Sequence, residues 1–187
     1  MECVQPLKKV EDINAIKRVL VQHSQRDLLF FVLGINTGIR INDLLHLTVH
    51  EVWDGNQARE CVYITDSSGK EKKAFYLNPN VRKKLEEYLF SHDLSLDDYL
   101  FKSKKNNHPI TRQQAYRIIN QAAKDVGVNG KIGTHTLRKT FGYHAYRKGI
   151  AISIIMRIFG HHSTSETFNY IGVDKKEEKF IKVDVNL

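Results

Sequence analysis

The hydrophobic pattern of this 187-residue chain changes period twice, and that change limits the folds open to it. From Val10 to Gln22, apolar Ile13, Ile16, Val19 and Leu20 recur at helical spacing, with Asp12 near the start. A second helix is expected from about Arg26 to Asn36, ending at Thr37-Gly38. A short helix follows, with Asn42 or Asp43 near its start and Leu44, Leu45 and Leu47 inside. From Arg59 the pattern becomes β-rich. Arg59 to Thr65, containing Val62, Tyr63 and Ile64, and Lys72 to Leu77, containing Ala74, Phe75 and Tyr76, lie on either side of Asp66-Ser67-Ser68-Gly69-Lys70, which reads as a hairpin. Glu51 to Trp53 is a candidate third, short strand.

After Pro79 the helical period returns, with Val81, Leu85, Tyr88 and Leu89 in one stripe. His92 to Asn107 reads as a connector carrying Lys102, Lys104 and Lys105. A helix is expected from Thr111, its N-cap, to Val126, with Gly127 as its stop. Others are expected from Thr134 to Lys148, from about Ala151 to Phe159, and from Ser165 to Tyr170. Phe180 to Val185 alternates like a strand. The fold class is therefore mainly α with a small antiparallel β-sheet, an α+β domain.

The length suits one domain with a real core. Net charge is +8 and the pI about 9.4. That balance favours a polyanionic partner, nucleic acid first and anionic membrane second, beside the plain reading of a basic soluble protein. The longest apolar run, Leu28 to Ile35, reads as a buried helix and falls short of the roughly 18 residues of a membrane span. Glu2 and Gln5 interrupt any signal-peptide core. Two cysteines, Cys3 and Cys61, stand far apart, so the chain reads as a reduced, cytoplasmic protein with neither a disulfide framework nor a Cys-based metal site. No paired carboxylates, HExxH, phosphate loop or GxGxxG occurs, and neither cofactor nor metal is expected.

The side chains that remain suit attack on a phosphodiester. Arg40 closes Thr37-Gly38-Ile39-Arg40. His135 and Arg138 frame His135-Thr136-Leu137-Arg138, one helical turn apart. His161 follows Gly160, and Tyr170 stands nine residues later. Arginine forks bind two phosphate oxygens and stay charged. Histidine moves protons near neutral pH, and an activated tyrosine is a covalent nucleophile. Each residue type is common, and a surface Arg, a loop His or a packing aromatic is the bland alternative for each position. Tyr63, Tyr76 and Tyr88 lie on apolar patterns and are expected to pack.

In order and spacing, these motifs resemble the catalytic domain of the tyrosine recombinases, the phage integrase family. The resemblance runs from about Lys8 to Gly172. It rests on Thr37-Gly38-Ile39-Arg40 with Asp43 after it, the His-x-x-Arg box at His135 to Arg138, Gly160-His161, and Tyr170. It implies a DNA breaking-and-rejoining fold and site-specific recombination of double-stranded DNA without metal or ATP. Tyr170 would form a 3′-phosphotyrosyl link and release a 5′-hydroxyl. Arg40 and Arg138 would clamp the phosphate, His135 would assist proton transfer at Tyr170, and His161 would hydrogen-bond a phosphate oxygen.

The hairpin departs from the family. A lysine in that turn usually protonates the leaving oxygen, often within Lys-Thr-Gly-Lys, and this chain reads Ser67-Ser68-Gly69-Lys70. Lys70 is the candidate, Lys72 the second, and a solvated turn residue the competing reading. Family members usually carry an N-terminal core-binding domain. Here residues 1–187 read as one catalytic domain without it, and residues 173–187 as a C-terminal tail packing on a neighbouring subunit of a DNA-bound tetramer. Two other readings share the fold: a DNA-binding regulator with weak or no catalysis, and a topoisomerase-like relaxing enzyme.

Overall fold

The computed structural model describes residues 4–65, 69 and 72–173. Helices α1 (Val10–His23), α2 (Gln25–Thr37), α3 (Ile41–Leu45) and α4 (Val49–Val52) precede an antiparallel hairpin of β1 (Cys61–Thr65) and β2 (Lys72–Tyr76). Then come α5 (Pro79–Phe90), α6 (Arg112–Asp125), α7 (Thr134–Arg147), α8 (Ile152–Phe159) and α9 (Thr164–Ile171). The expected α+β class is found, with the hairpin between the helical halves.

Helix α2 is the central post. Leu28 to Gly34 are all buried, because α1, α5 and α7 pack around it. A helix apolar all round has no solvent face to offer. Each fully buried Leu or Phe here contributes about 1.5–3 kcal/mol relative to exposure. Gly34 lets α7 come close, since a Cβ there would lie 2.5 Å from Leu137 Cδ1. The segment before α1 is strapped to α7: the Leu7 amide donates to Thr140 Oγ1 at 2.9 Å, and His144 Nε2 meets the Leu7 carbonyl at 2.8 Å. A smaller cluster of Ile155, Phe159, Phe168, Ile171 and Val173 ties α8 and α9 together, with Phe141 and Tyr146 of α7 against it.

Two local expectations change. Glu51 to Trp53 is not a strand. The Glu51 carboxylate accepts from both the Thr48 amide and the Thr48 hydroxyl at 2.8 Å, which caps a helical turn, and Trp53 makes only an isolated bridge to Ala58. Tyr63 and Tyr76 do not pack in the core; they are 60% and 57% exposed, whereas Tyr88 is buried. The register explains this. Tyr63 opposes Ala74 and Cys61 opposes Tyr76 on the outer face, while Val62 and Phe75 form the buried pair on the inner one. The alternating Phe180–Val185 segment and Lys70 lie outside the described residues.

Candidate active site

Each site side chain is set by a helix end. Helix α2 stops at Gly38, which is left-handed at φ 72° and has the Phe141 ring of α7 where a Cβ would stand, 2.5 Å from Cδ1. Only glycine satisfies both demands. The turn therefore packs against α7, and Arg40, at the N-cap of α3, shares a cleft with Thr134 and His135 at the start of that helix. Helix α7 begins at Thr134, where Thr136 Oγ1 accepts from the Gly133 amide at 3.1 Å. His135 and Arg138 thus sit in its first turns on one face. Helix α8 ends at Gly160, also left-handed, and His161 follows it. Tyr170 stands near the end of α9, held by its ring against Phe159 and His161 at centroid distances of 5.3 and 5.0 Å.

These elements enclose one cleft of about 480 Å³. Its walls include Arg40, His135, Arg138, His161 and Tyr170, with Asp43, Arg112 and Gly160. Five of the six residues singled out in the sequence converge there. Arg138 is the most buried of them, 8% exposed. Its Nη2 donates to the Phe159 carbonyl at 2.7 Å, and its guanidinium lies over the Phe159 ring at 4.6 Å. Burial pushes its pKa down to about 10, opposed by Tyr170 and Asp43 and aided by Arg40. It remains a cation at neutral pH.

The two histidines are held differently. His161 Nδ1 meets Thr167 Oγ1 at 3.0 Å, and that hydroxyl donates to the Ser163 carbonyl at 3.1 Å. The hydroxyl has one proton and has placed it, so His161 donates from Nδ1. Burial lowers the His161 pKa, with Glu166 opposing and Arg138, His162 and Arg40 adding to the fall. His135 Nε2 faces Arg112 Nη2 at 2.8 Å. Its pKa is also lowered, by desolvation first and then by Arg112, Lys139 and Arg138.

Three cations at this site escaped the sequence reading. Arg112 follows the Thr111 N-cap of α6, and the cap was the legible signal there, not the arginine. Lys139 is buried, with its Nζ over the Tyr170 ring at 5.0 Å. Lys73 pairs with Ile64 on the inner face of the hairpin, where an apolar residue would be expected. A Cβ on Gly160 would lie 3.6 Å from Lys73 Nζ and 3.5 Å from Arg40 Nη2. Strand alternation leaves Lys72 on the outer face with Tyr76. Period-two alternation from Phe75 would have flagged Lys73. Among the described residues no cluster of three His, Cys, Asp or Glu side chains is arranged to hold a metal.

A mainly helical domain whose cleft gathers arginines, histidines and one tyrosine defines a class, and comparison with known proteins identifies it. The sequence pattern of the Phage integrase family matches residues 7–177, and the chain belongs to that family. It is 40% identical over 175 residues to the probable integrase/recombinase YoeC of Bacillus subtilis (strain 168), covering 94% of this chain and 93% of that one. It is 33% identical over 155 residues to a tyrosine recombinase of Pseudothermotoga lettingae, covering 83% of this chain and 52% of the relative. In structure it resembles XerA recombinase, at a TM-score of 0.74 and 22% identity, over 92% of this chain and 60% of that chain. It also resembles XerH site-specific recombinase bound to difH substrate, at a TM-score of 0.72 and 22% identity, over 94% of this chain and 52% of that one. The fold is that of the tyrosine recombinase catalytic domain. The chain spans nearly all of YoeC but only about half of the Pseudothermotoga recombinase.

Proposed function

We propose that this chain cuts and rejoins double-stranded DNA at specific sites through a covalent link to Tyr170. The observation that carries the reading is the convergence of Arg40, His135, Arg138, His161 and Tyr170, from four separate stretches of sequence, on one cleft. The Tyr170 oxygen attacks a DNA phosphorus, and the bond from phosphorus to the 5′ oxygen breaks. Arg40 and Arg138 meet the charge that gathers on the non-bridging oxygens. Lys139, over the ring, lays positive charge beside a phenol that becomes anionic as it attacks. His135 assists the departure of the tyrosine proton, and His161 holds a phosphate oxygen. The leaving 5′ oxygen takes a proton from Lys70 or from Lys73. The position of Lys73 Nζ near Arg40 and Gly160 favours the latter. Attack by the 5′-hydroxyl of a partner strand then reverses the step.

The protein works on DNA in the cytoplasm as a homo-oligomer, a tetramer on its paired sites. Among the described residues no helix is long and apolar enough to cross a membrane.

The test is incubation with a pool of nicked duplexes of randomised sequence, read as covalent protein–DNA adducts on denaturing gels. Adducts are expected with the wild-type chain and none with Tyr170→Phe. DNA binding without any adduct would replace this reading with that of a DNA-binding regulator. In the same assay, Lys73→Met and Lys70→Ala separate the two proton donors. Loss of a general acid lowers cleavage by about 10²–10⁴, and a 5′-thiolate leaving group, which needs no proton, restores the rate only in the variant lacking the true donor.

A further inference from the structure

The geometry assigns Arg112 as a positioning residue that caps the basic nitrogen of His135, holding the ring neutral with its proton on Nδ1. The contact is direct, with Arg112 Nη2 2.8 Å from His135 Nε2. A guanidinium has five donors and no acceptor, so at this distance Nε2 must present its lone pair. A proton on Nε2 would set N–H against N–H and bring two positive charges together. The neutral ring then carries its only hydrogen on Nδ1.

Arg112 is itself fixed from behind. It opens α6, whose N-cap is closed on both sides. Thr111 Oγ1 accepts from the Gln114 amide at 3.2 Å, and Gln114 Oε1 accepts from the Thr111 amide at 2.8 Å. A cap of this kind fixes the first turn of the helix. The guanidinium thus reaches His135 from an element that contributes no other side chain to the cleft.

The cations beside the ring act in the same sense, and among the described residues Asp43 is the one carboxylate that shares the cleft. Arg138 and Lys139 face His135 from its own helix, and Arg40 and Asp43 share the cleft from α3 and its N-cap. His161 and Tyr170 share it from the chain before α9 and from α9 itself. Beyond the Arg112–His135 pair lies a groove walled by Val4, Tyr116 and Gly133, which adds no charge. Desolvation and the neighbouring cations lower the His135 pKa, in line with a capped Nε2. One functional consequence rests on the recombinase reading above. While Arg112 is in place, His135 has no free lone pair to take the Tyr170 proton. The base becomes available when the guanidinium turns from Nε2 to the incoming phosphate. Arg112 thereby couples DNA arrival to base exposure.

The decisive measurement is made on the free protein with ¹⁵N-labelled histidine. In the wild type, NMR should show His135 neutral with Nδ1–H and titrating below the ordinary histidine range. In Arg112→Ala the titration should move up and the proton should redistribute between the two nitrogens. Arg112→Lys, which keeps a cationic donor, should restore part of the wild-type behaviour. Backbone spectra that overlay elsewhere exclude unfolding as the cause. An unchanged titration and tautomer in Arg112→Ala overturn the assignment, whether or not the chain cleaves DNA. Where adducts form, the acid limb of the cleavage rate should move to higher pH in Arg112→Ala. A loss confined to DNA affinity, with the limb unmoved, would reduce Arg112 to a phosphate contact and also overturn the coupling.

Discussion

Both histidines of the cleft keep their proton on Nδ1, for opposite reasons: His161 gives it to Thr167, and His135 keeps it because Arg112 occupies Nε2. To donate from Nε2 to a phosphate oxygen, His161 must become an imidazolium. Its pKa in the free protein is lowered, chiefly by burial, so the anion itself must draw the second proton in. Inorganic phosphate should therefore raise the His161 titration, and should bind more tightly as pH falls toward 6. An NMR titration of His161 unmoved by phosphate would contradict that role. The same two residues affect stability. Both have folded-state pKa values below the ordinary 6.5, so the unfolded chain takes up protons first as pH falls. Their cost to stability is absent above about pH 6.5 and grows as pH drops through that value. Thermal unfolding should show a lower Tm on the acid side, with a shallower fall in the His135→Gln, His161→Gln double variant. At this scale the sequence exposed Arg40, Arg138, His135, His161 and Tyr170, because each stands in a short motif and the order of those motifs resembles the recombinase pattern. Arg112, Lys139 and Lys73 stand in none of those motifs, and packing brings each of them to the site.

Close approach between elements positions the cleft, and glycines permit it. Gly34 brings α2 against Leu137 of α7. Gly142 lies under α8 and α9, where a Cβ would come 2.6 Å from Ile171 Cγ2 and 2.8 Å from Phe159 Cε2. In an open helix, Gly→Ala stabilises by about 0.8–1 kcal/mol. Here the clash should win, and Gly142→Ala should destabilise by about 1–3 kcal/mol, as overpacked cores do. Urea unfolding measures this, and a stabilised variant would show that α9 yields. Because Phe159 and Ile171 flank Tyr170, the same variant should slow adduct formation before it lowers DNA binding. Helix periods and caps made nearly every element legible, from Thr111 to Gly127 most cleanly. The exceptions were short segments. Four residues around Glu51 carry too little pattern to show whether a capping carboxylate or a neighbouring strand will claim them.

Over the whole molecule, a net charge of +8 must be matched by a polyanion or by small ions. DNA affinity should fall steeply with salt, with log K declining by about 0.9 per phosphate neutralised for each unit of log salt. Arg40→Ala should make that slope shallower by about one, whereas Tyr170→Phe should leave it unchanged. Fluorescence anisotropy across a salt series measures both, and a salt-independent affinity would contradict electrostatic docking. The sequence by itself determined the class, nearly all of the order of elements and five of the residues that line the cleft, since periodicity, caps and short motifs are local properties of a chain. Only the tertiary structure decided which cations join them. Arg112 meets His135 across 23 positions, and Lys73 reaches Gly160 from a strand more than eighty residues earlier. Such pairings arise from how α6 and the hairpin pack against α7 and α8, and packing is a property of the folded whole.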